Sequence, residues 1–243
     1  MFHKKPFLLF PFFLIAFQIL TFDFCSSSKV KNSAKETSHD VLASDALLLL
    51  KEGNRTFAIK TFPKRPSVDQ GLASSASPQK PHSIILSCSD SRVPPSLIFN
   101  QGLGEIFSVR DAGEVPGIAV IGSIEYAIQA LGAPLLIVMG HTDCGAIKAG
   151  LSAFKDHPAE SPSLQAVITE IRNNIGDKPL ETASPHFKDE AFLNAKEVAR
   201  NLIKRSDIIK KHVTEGTLMV VPALYDLQTG YVEFGALIAE PEW

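Results

Sequence analysis

Two short runs of branched apolar residues, Ile84-Ile85-Leu86 and Leu135-Leu136-Ile137-Val138-Met139, constrain this chain most, because each stops abruptly at a polar segment. Apolar runs of this length, bounded by turn signals and without polar alternation, are what strands buried on both faces of a parallel sheet require. Parallel strands end on one edge, and in open α/β sheets ligands bind outside those carboxyl ends. The segments that follow are Cys88-Ser89-Asp90-Ser91-Arg92 and His141-Thr142-Asp143-Cys144-Gly145. They are therefore expected to converge although they lie far apart in sequence.

Cys88, His141 and Cys144 make a set of zinc ligands. Three protein ligands leave a fourth position for water or substrate, the composition of a catalytic rather than a structural site. Cys144-Gly145-Ala146 opens a helix-like stretch whose N-terminal partial positive charge favours the thiolate a metal needs. Taken singly, a cysteine at a strand end is a small core residue and a histidine a hydrogen-bonded structural one. A Cys-His nucleophile pair is a further alternative, but it leaves the second cysteine without a role. Asp90 stands two residues past the first ligand and Arg92 two past that; the plain alternative for this pair is a surface ion pair worth about 0–1 kcal/mol.

With C-x-D-x-R and H-x-x-C both intact, the chain resembles the β-class carbonic anhydrases. The resemblance runs from about Ala43 to the C-terminus and takes in Gly53-Asn54-Arg55, Ser108 to Gly113, Gly122 to Ala127, Ala223 to Asp226, and Thr229-Gly230. It implies a mainly parallel sheet flanked by helices, obligate dimers or higher oligomers with N-terminal helices lying across the partner, and an active site at the dimer interface. It implies zinc as cofactor and reversible hydration of CO2 to bicarbonate and a proton. Bound zinc lowers the pKa of its water from about 15.7 toward about 7, and the resulting hydroxide attacks CO2. Two thiolates make the zinc a weaker Lewis acid than three imidazoles would, so full activity is expected at alkaline pH.

Family behaviour gives Asp90 two roles. Paired with Arg92, whose planar fork fixes a carboxylate, it orients the hydroxide; freed from Arg92, it becomes the fourth zinc ligand in a closed state. Gln79, Phe107 and Tyr126 match positions that line the substrate pocket, partly from the neighbouring subunit; read alone they are a loop amide and two core rings. A subtype with an inhibitory bicarbonate site carries Trp three residues before the first zinc cysteine. Ile85 stands there instead, and Gln79 in a Q-x-P pattern also points to the other subtype, while Arg110 fits either. Hydrolysis of a CO2-like molecule such as carbon disulfide and a non-catalytic zinc module of the same fold are the alternatives.

A formal charge of -2 and a pI near 6.4, with scattered Lys and Arg, exclude a nucleic-acid partner on charge grounds. The 243 residues and 45% hydrophobic content suffice for one core. Residues 1–25 read as an export signal: Lys4-Lys5 precede an apolar run from Phe7 to Phe22 that Pro11 and Gln18 interrupt. Cys25 resembles the acylated first residue of a bacterial lipoprotein, although Phe24 is bulkier than usual there; cleavage without lipid or an uncleaved anchor are the alternatives. Residues 26–40 read as a polar tether and 41–243 as the catalytic domain. A periplasmic or membrane-anchored address follows. With Cys88 and Cys144 on zinc and Cys25 in the leader, no structural disulfide remains.

Between the motifs, strand and helix alternate. Ser38 or Ser44 starts a helix through Leu50 that stops at Gly53, and residues 66–79 read as loop. A strand spans 106–109, and a helix runs from Ile118 to Gly132. Ser161-Pro162 opens a helix through Ile171, residues 189–204 form an amphipathic helix, and 217–224 a closing strand.

Overall fold

The computed structural model describes residues 41–60, 77–151 and 161–238. The export signal, the tether with Cys25, and most of the loop expected over 66–79 lie outside the described residues. Five strands, β1 (Ser83–Ser87), β2 (Ile106–Arg110), β3 (Leu135–His141), β4 (Met219–Tyr225) and β5 (Val232–Phe234), form one sheet in the order β2-β1-β3-β4-β5. The first four are mutually parallel and β5 returns antiparallel along β4. Every residue of β1 and β3 is buried, as their unbroken apolar runs require.

Alternation then sorts the side chains into two layers. Ile84, Leu86, Leu136 and Val138 face a core completed by helices α3 (Ile118–Gln129) and α6 (Lys188–Arg205), through Ile124, Val198 and Leu202. Ile85, Leu135, Ile137 and Met139 face the opposite core, closed by Ala46 and Leu50 of α1 (Ala43–Ala58) and by Ile98 and Phe99 at the end of the short α2 (Pro95–Ile98). Each buried Leu or Ile contributes about 1.5–3 kcal/mol by leaving water.

The expected helix stop at Gly53 is wrong. α1 continues to Ala58, and its first residue is preceded by Leu42 rather than capped by Ser44. Gly53 is there for proximity: a Cβ on it would lie 1.9 Å from the Phe99 carbonyl oxygen. Beside it, buried Asn54 clips three distant segments, donating from Nδ2 to the carbonyls of Ile98 (3.3 Å) and Gly230 (2.9 Å) and accepting from the Val232 amide (2.8 Å).

α5 (Pro162–Ile175) follows α4 (Gly145–Gly150) in chain order; Ser161 caps α5 by accepting from the Leu164 amide, and the helix runs one turn past Ile171. α7 (Asp207–Thr214) and β5 were not anticipated. Only Ser206 separates α7 from α6, so the sequence shows no break long enough to read as a loop. β5 is three residues long, too short for a period to register.

Candidate metal centre

The topology delivers the two motifs to one edge. Cys88 follows β1 directly, His141 is the last residue of the adjacent β3, and Cys144 precedes the first turn of α4. The ligand atoms of Cys88, His141 and Cys144 all lie within 4.8 Å of one another, and all three residues are buried. The two Sγ atoms are 4.0 Å apart; two sulfurs at about 2.3 Å from a tetrahedral zinc stand about 3.8 Å apart.

His141 is prepared for a metal. Its Nδ1 lies 2.8 Å from the Thr142 carbonyl, which only accepts, so Nδ1 carries the proton and Nε2 presents its lone pair. Nε2 is buried with no hydrogen-bond partner among the described residues. A fully buried nitrogen without a partner costs about 1–3 kcal/mol, and zinc coordination removes that cost.

The thiols share a proton. The hydrogen bond from Cys144, with the Gly113 amide at 3.4 Å, draws Cys88 down, while the same thiol-thiol contact and burial push Cys144 up. Gly113 approaches Cys88 with φ of +62°, a left-handed backbone that favours glycine, and a Cβ there would press on Ile171 Cδ1 at 2.6 Å and Ala146 Cβ at 3.1 Å.

Asp90 and Arg92 stand at the mouth. Asp90 Oδ1 accepts from Arg92 Nε (2.9 Å) and backbone N (2.9 Å), and Oδ2 accepts from Arg92 Nη2 (2.7 Å). The Arg92 hydrogen bonds hold the Asp90 carboxyl well below the usual carboxylate range. Arg110 donates to the Cys88 carbonyl (3.2 Å) and the Asp90 carbonyl (2.7 Å), fixing the turn that carries both.

Of the three expected pocket residues, Phe107 sits apart from this centre within the chain. Gln79 is exposed ahead of β1. Phe107 and Tyr126 do meet, with ring centroids 6.3 Å apart. Phe107, however, pairs in register with Ile84, four residues before Cys88 and thus about 13 Å away along the strand.

Sequence reading missed a buried polar line behind the thiols. Glu114 Oε1 accepts from Asn194 Nδ2 (2.8 Å), Asn194 Oδ1 accepts from Asn174 Nδ2 (2.9 Å), and Asn174 Oδ1 accepts from Asn201 Nδ2 (3.1 Å). Burial, reinforced by the nearby Cys88 charge, pushes Glu114 up to about 8. Asn194 and Asn201 are seven positions apart, one helix face, which was the available signal.

The carbonic anhydrase family model matches residues 83–232. Carbonic anhydrase 2 of Mycobacterium tuberculosis is 37% identical over 185 residues, covering 74% of this chain and 87% of that protein. β carbonic anhydrase 3 of Arabidopsis thaliana is 36% identical over 222 residues, covering 84% and 83%. The structure of a Coccomyxa β-carbonic anhydrase in complex with acetazolamide aligns with a TM-score of 0.61 at 25% identity, covering 78% of this chain and 86% of that one. With the sequence match, the sheet and the Cys88-His141-Cys144 donor set in agreement, the chain belongs to the β-class carbonic anhydrase family.

Proposed function

We propose that this protein catalyses the zinc-dependent, reversible hydration of CO2 to bicarbonate and a proton. The observation that carries the reading is the meeting of two thiols and an imidazole whose Nε2 has no hydrogen-bond partner among the described residues, with Asp90 Oδ2 only 3.9 Å from that nitrogen. Zinc on these three residues supplies Lewis-acid activation of water near neutral pH. Asp90, ionised and gripped by Arg92, accepts the O–H of the attacking water and turns its lone pair toward CO2. With Oδ2 3.9 Å from His141 Nε2, the same carboxylate is the group that would reach a metal held there if its bond to Arg92 opened. The intact Asp90-Arg92 pair disfavours a purely structural zinc, whose fourth position is filled by a permanent ligand.

Gln79, Phe107 and Tyr126 line the substrate pocket, partly from the neighbouring subunit. The separation of Phe107 from Cys88 along the sheet supports an interface site, as do the exposed Leu48 (63%) and Leu49 (48%) of α1. Sedimentation at micromolar concentration tests the dimer; a monomer with full activity refutes it. Stopped-flow CO2 hydration by the zinc-loaded protein, with metal content measured on the same sample, tests the activity. Zinc-bound protein without hydration above buffer would overturn it. The sequence of residues 1–25 further supports export, with Cys25 as a lipid attachment point; the intact mass of the mature chain distinguishes a lipidated from an unmodified N-terminus.

A further inference from the structure

The loop between the second and third metal ligands is held by a residue that no zinc motif contains. Asp143 lies between His141 and Cys144 and adopts a left-handed backbone, φ +53°. Its amide donates to the His186 carbonyl at 2.7 Å, and its carboxylate lies 3.0 and 3.1 Å from His186 Nδ1. On the far side of the ring, Gln228 Nε2 is 3.0 Å from His186 Nε2. An amide nitrogen only donates, so Nε2 accepts and Nδ1 carries the proton given to Asp143. Both nitrogens of an exposed histidine are thus engaged.

The backbone on the other side is equally constrained. His186 and Phe187 are left-handed too, with φ of +57° and +54°. Such conformations are strained in residues other than glycine and persist only where the surroundings impose them. The turn is pinned from α6 by Ser184, whose Oγ accepts from the Asp189 amide (2.9 Å) and donates to Glu190 Oε2 (2.7 Å). Three strained residues on two segments are locked face to face, one of them between two ligands. Arg92 Nη2 also reaches the Asp143 carbonyl at 3.4 Å, so the same loop touches the partner of Asp90.

We propose that His186 is a positioning residue for the metal centre, a latch that fixes Asp143 and so holds His141 and Cys144 at the spacing zinc needs. This rests on the zinc reading above. A solvent-exposed hydrogen bond with no effect on the metal is the competing account.

The test is the rate at which zinc leaves the holoenzyme into excess EDTA, for wild type and His186→Ala, His186→Gly and His186→Asn, with bound zinc and circular dichroism measured first. Glycine adopts the left-handed backbone freely but has no donor; asparagine tolerates that backbone and offers an amide in place of Nδ1–H. Loss of an outer hydrogen-bond partner typically weakens metal binding about 10–100-fold. Zinc release at least about 10-fold faster in both the Ala and Gly variants is expected, with Asn returning to within about threefold of wild type. Wild-type release from the Gly variant overturns the latch and leaves the zinc reading standing. So does an Asn variant as fast as Gly, and so does an Ala variant that fails to fold while Gly keeps its zinc at the wild-type rate. A wild-type protein that holds no zinc overturns both.

Discussion

Arg92 grips Asp90 with two parallel hydrogen bonds, Nε to Oδ1 at 2.9 Å and Nη2 to Oδ2 at 2.7 Å, and so holds the carboxylate 3.9 Å from the metal-facing nitrogen of His141. A fork of this kind fixes direction as well as charge. Asp90→Asn is expected to retain zinc while kcat/KM falls about 10²-fold or more. Stopped-flow kinetics beside metal analysis decide it; near-wild-type hydration would reduce the pair to an ordinary surface contact.

Removing the other member of the fork has a different outcome. In Arg92→Ala the carboxylate is released next to the metal position, and hydration is expected to be nearly lost at every pH with zinc still bound. A crystal structure of that variant should show Asp90 on the metal; a water there, with Asp90 turned away, would contradict the closed state.

The pH dependence follows from the direction of the Asp90 shift. Its carboxyl is lowered from the usual 3.8, so its contribution is complete above that value and is lost only as pH falls through the lowered one. Asp90 therefore stays ionised through neutral pH and cannot set the alkaline limb. Activity is expected to rise between about pH 7 and about pH 8.5 as water on zinc ionises, with no inflection from Asp90 in that range. A flat kcat/KM profile over the same range contradicts this assignment.

Each of Cys88→Ser, His141→Ala and Cys144→Ser should lose metal and hydration together, from about one zinc per chain in the parent. Elemental analysis of the purified variants suffices. Full zinc in any of them removes that residue from the ligand set.

Glu114 gives a stability prediction of the opposite sign from Asp90. Its carboxyl is raised from 4.5 to about 8, so the stability tied to its proton is complete below about 4.5 and is lost as pH rises through about 8. Glu114→Gln keeps the shape and removes the titration. In urea denaturation of the zinc-loaded proteins, its stability relative to wild type should increase by up to about 4 kcal/mol from pH 5 to pH 8.5. An unchanged difference between those pH values refutes a buried neutral acid.

The parts legible in the sequence were those whose physics is local. Cys88, Asp90 and Arg92 lie within five consecutive residues, and the strands that carry the ligands betray themselves by unbroken apolar runs. α1 was misread because Gly53 can mean a helix stop or a close approach, and only Phe99, far along the chain, distinguishes them. His186 was overlooked because its partner Asp143 is 43 positions away and its turn has no periodic pattern. The Asn194 line likewise reaches 80 residues back to Glu114. The cysteine ligands predict a metal, but nothing in the composition says which amides line up behind it.

Asn54 sets where the protein can be cut. The family match begins at residue 83, yet Asn54 holds the Ile98 and Gly230 carbonyls and the Val232 amide, and Leu50 covers the sheet face of Ile85 and Ile137. A fragment trimmed to the matched region would lose a lid from that apolar face and leave three backbone groups without their partner, each costing about 1–3 kcal/mol if buried. The smallest autonomous unit is therefore expected to include α1, and a fragment begun at residue 83 to be recovered as aggregate rather than as enzyme.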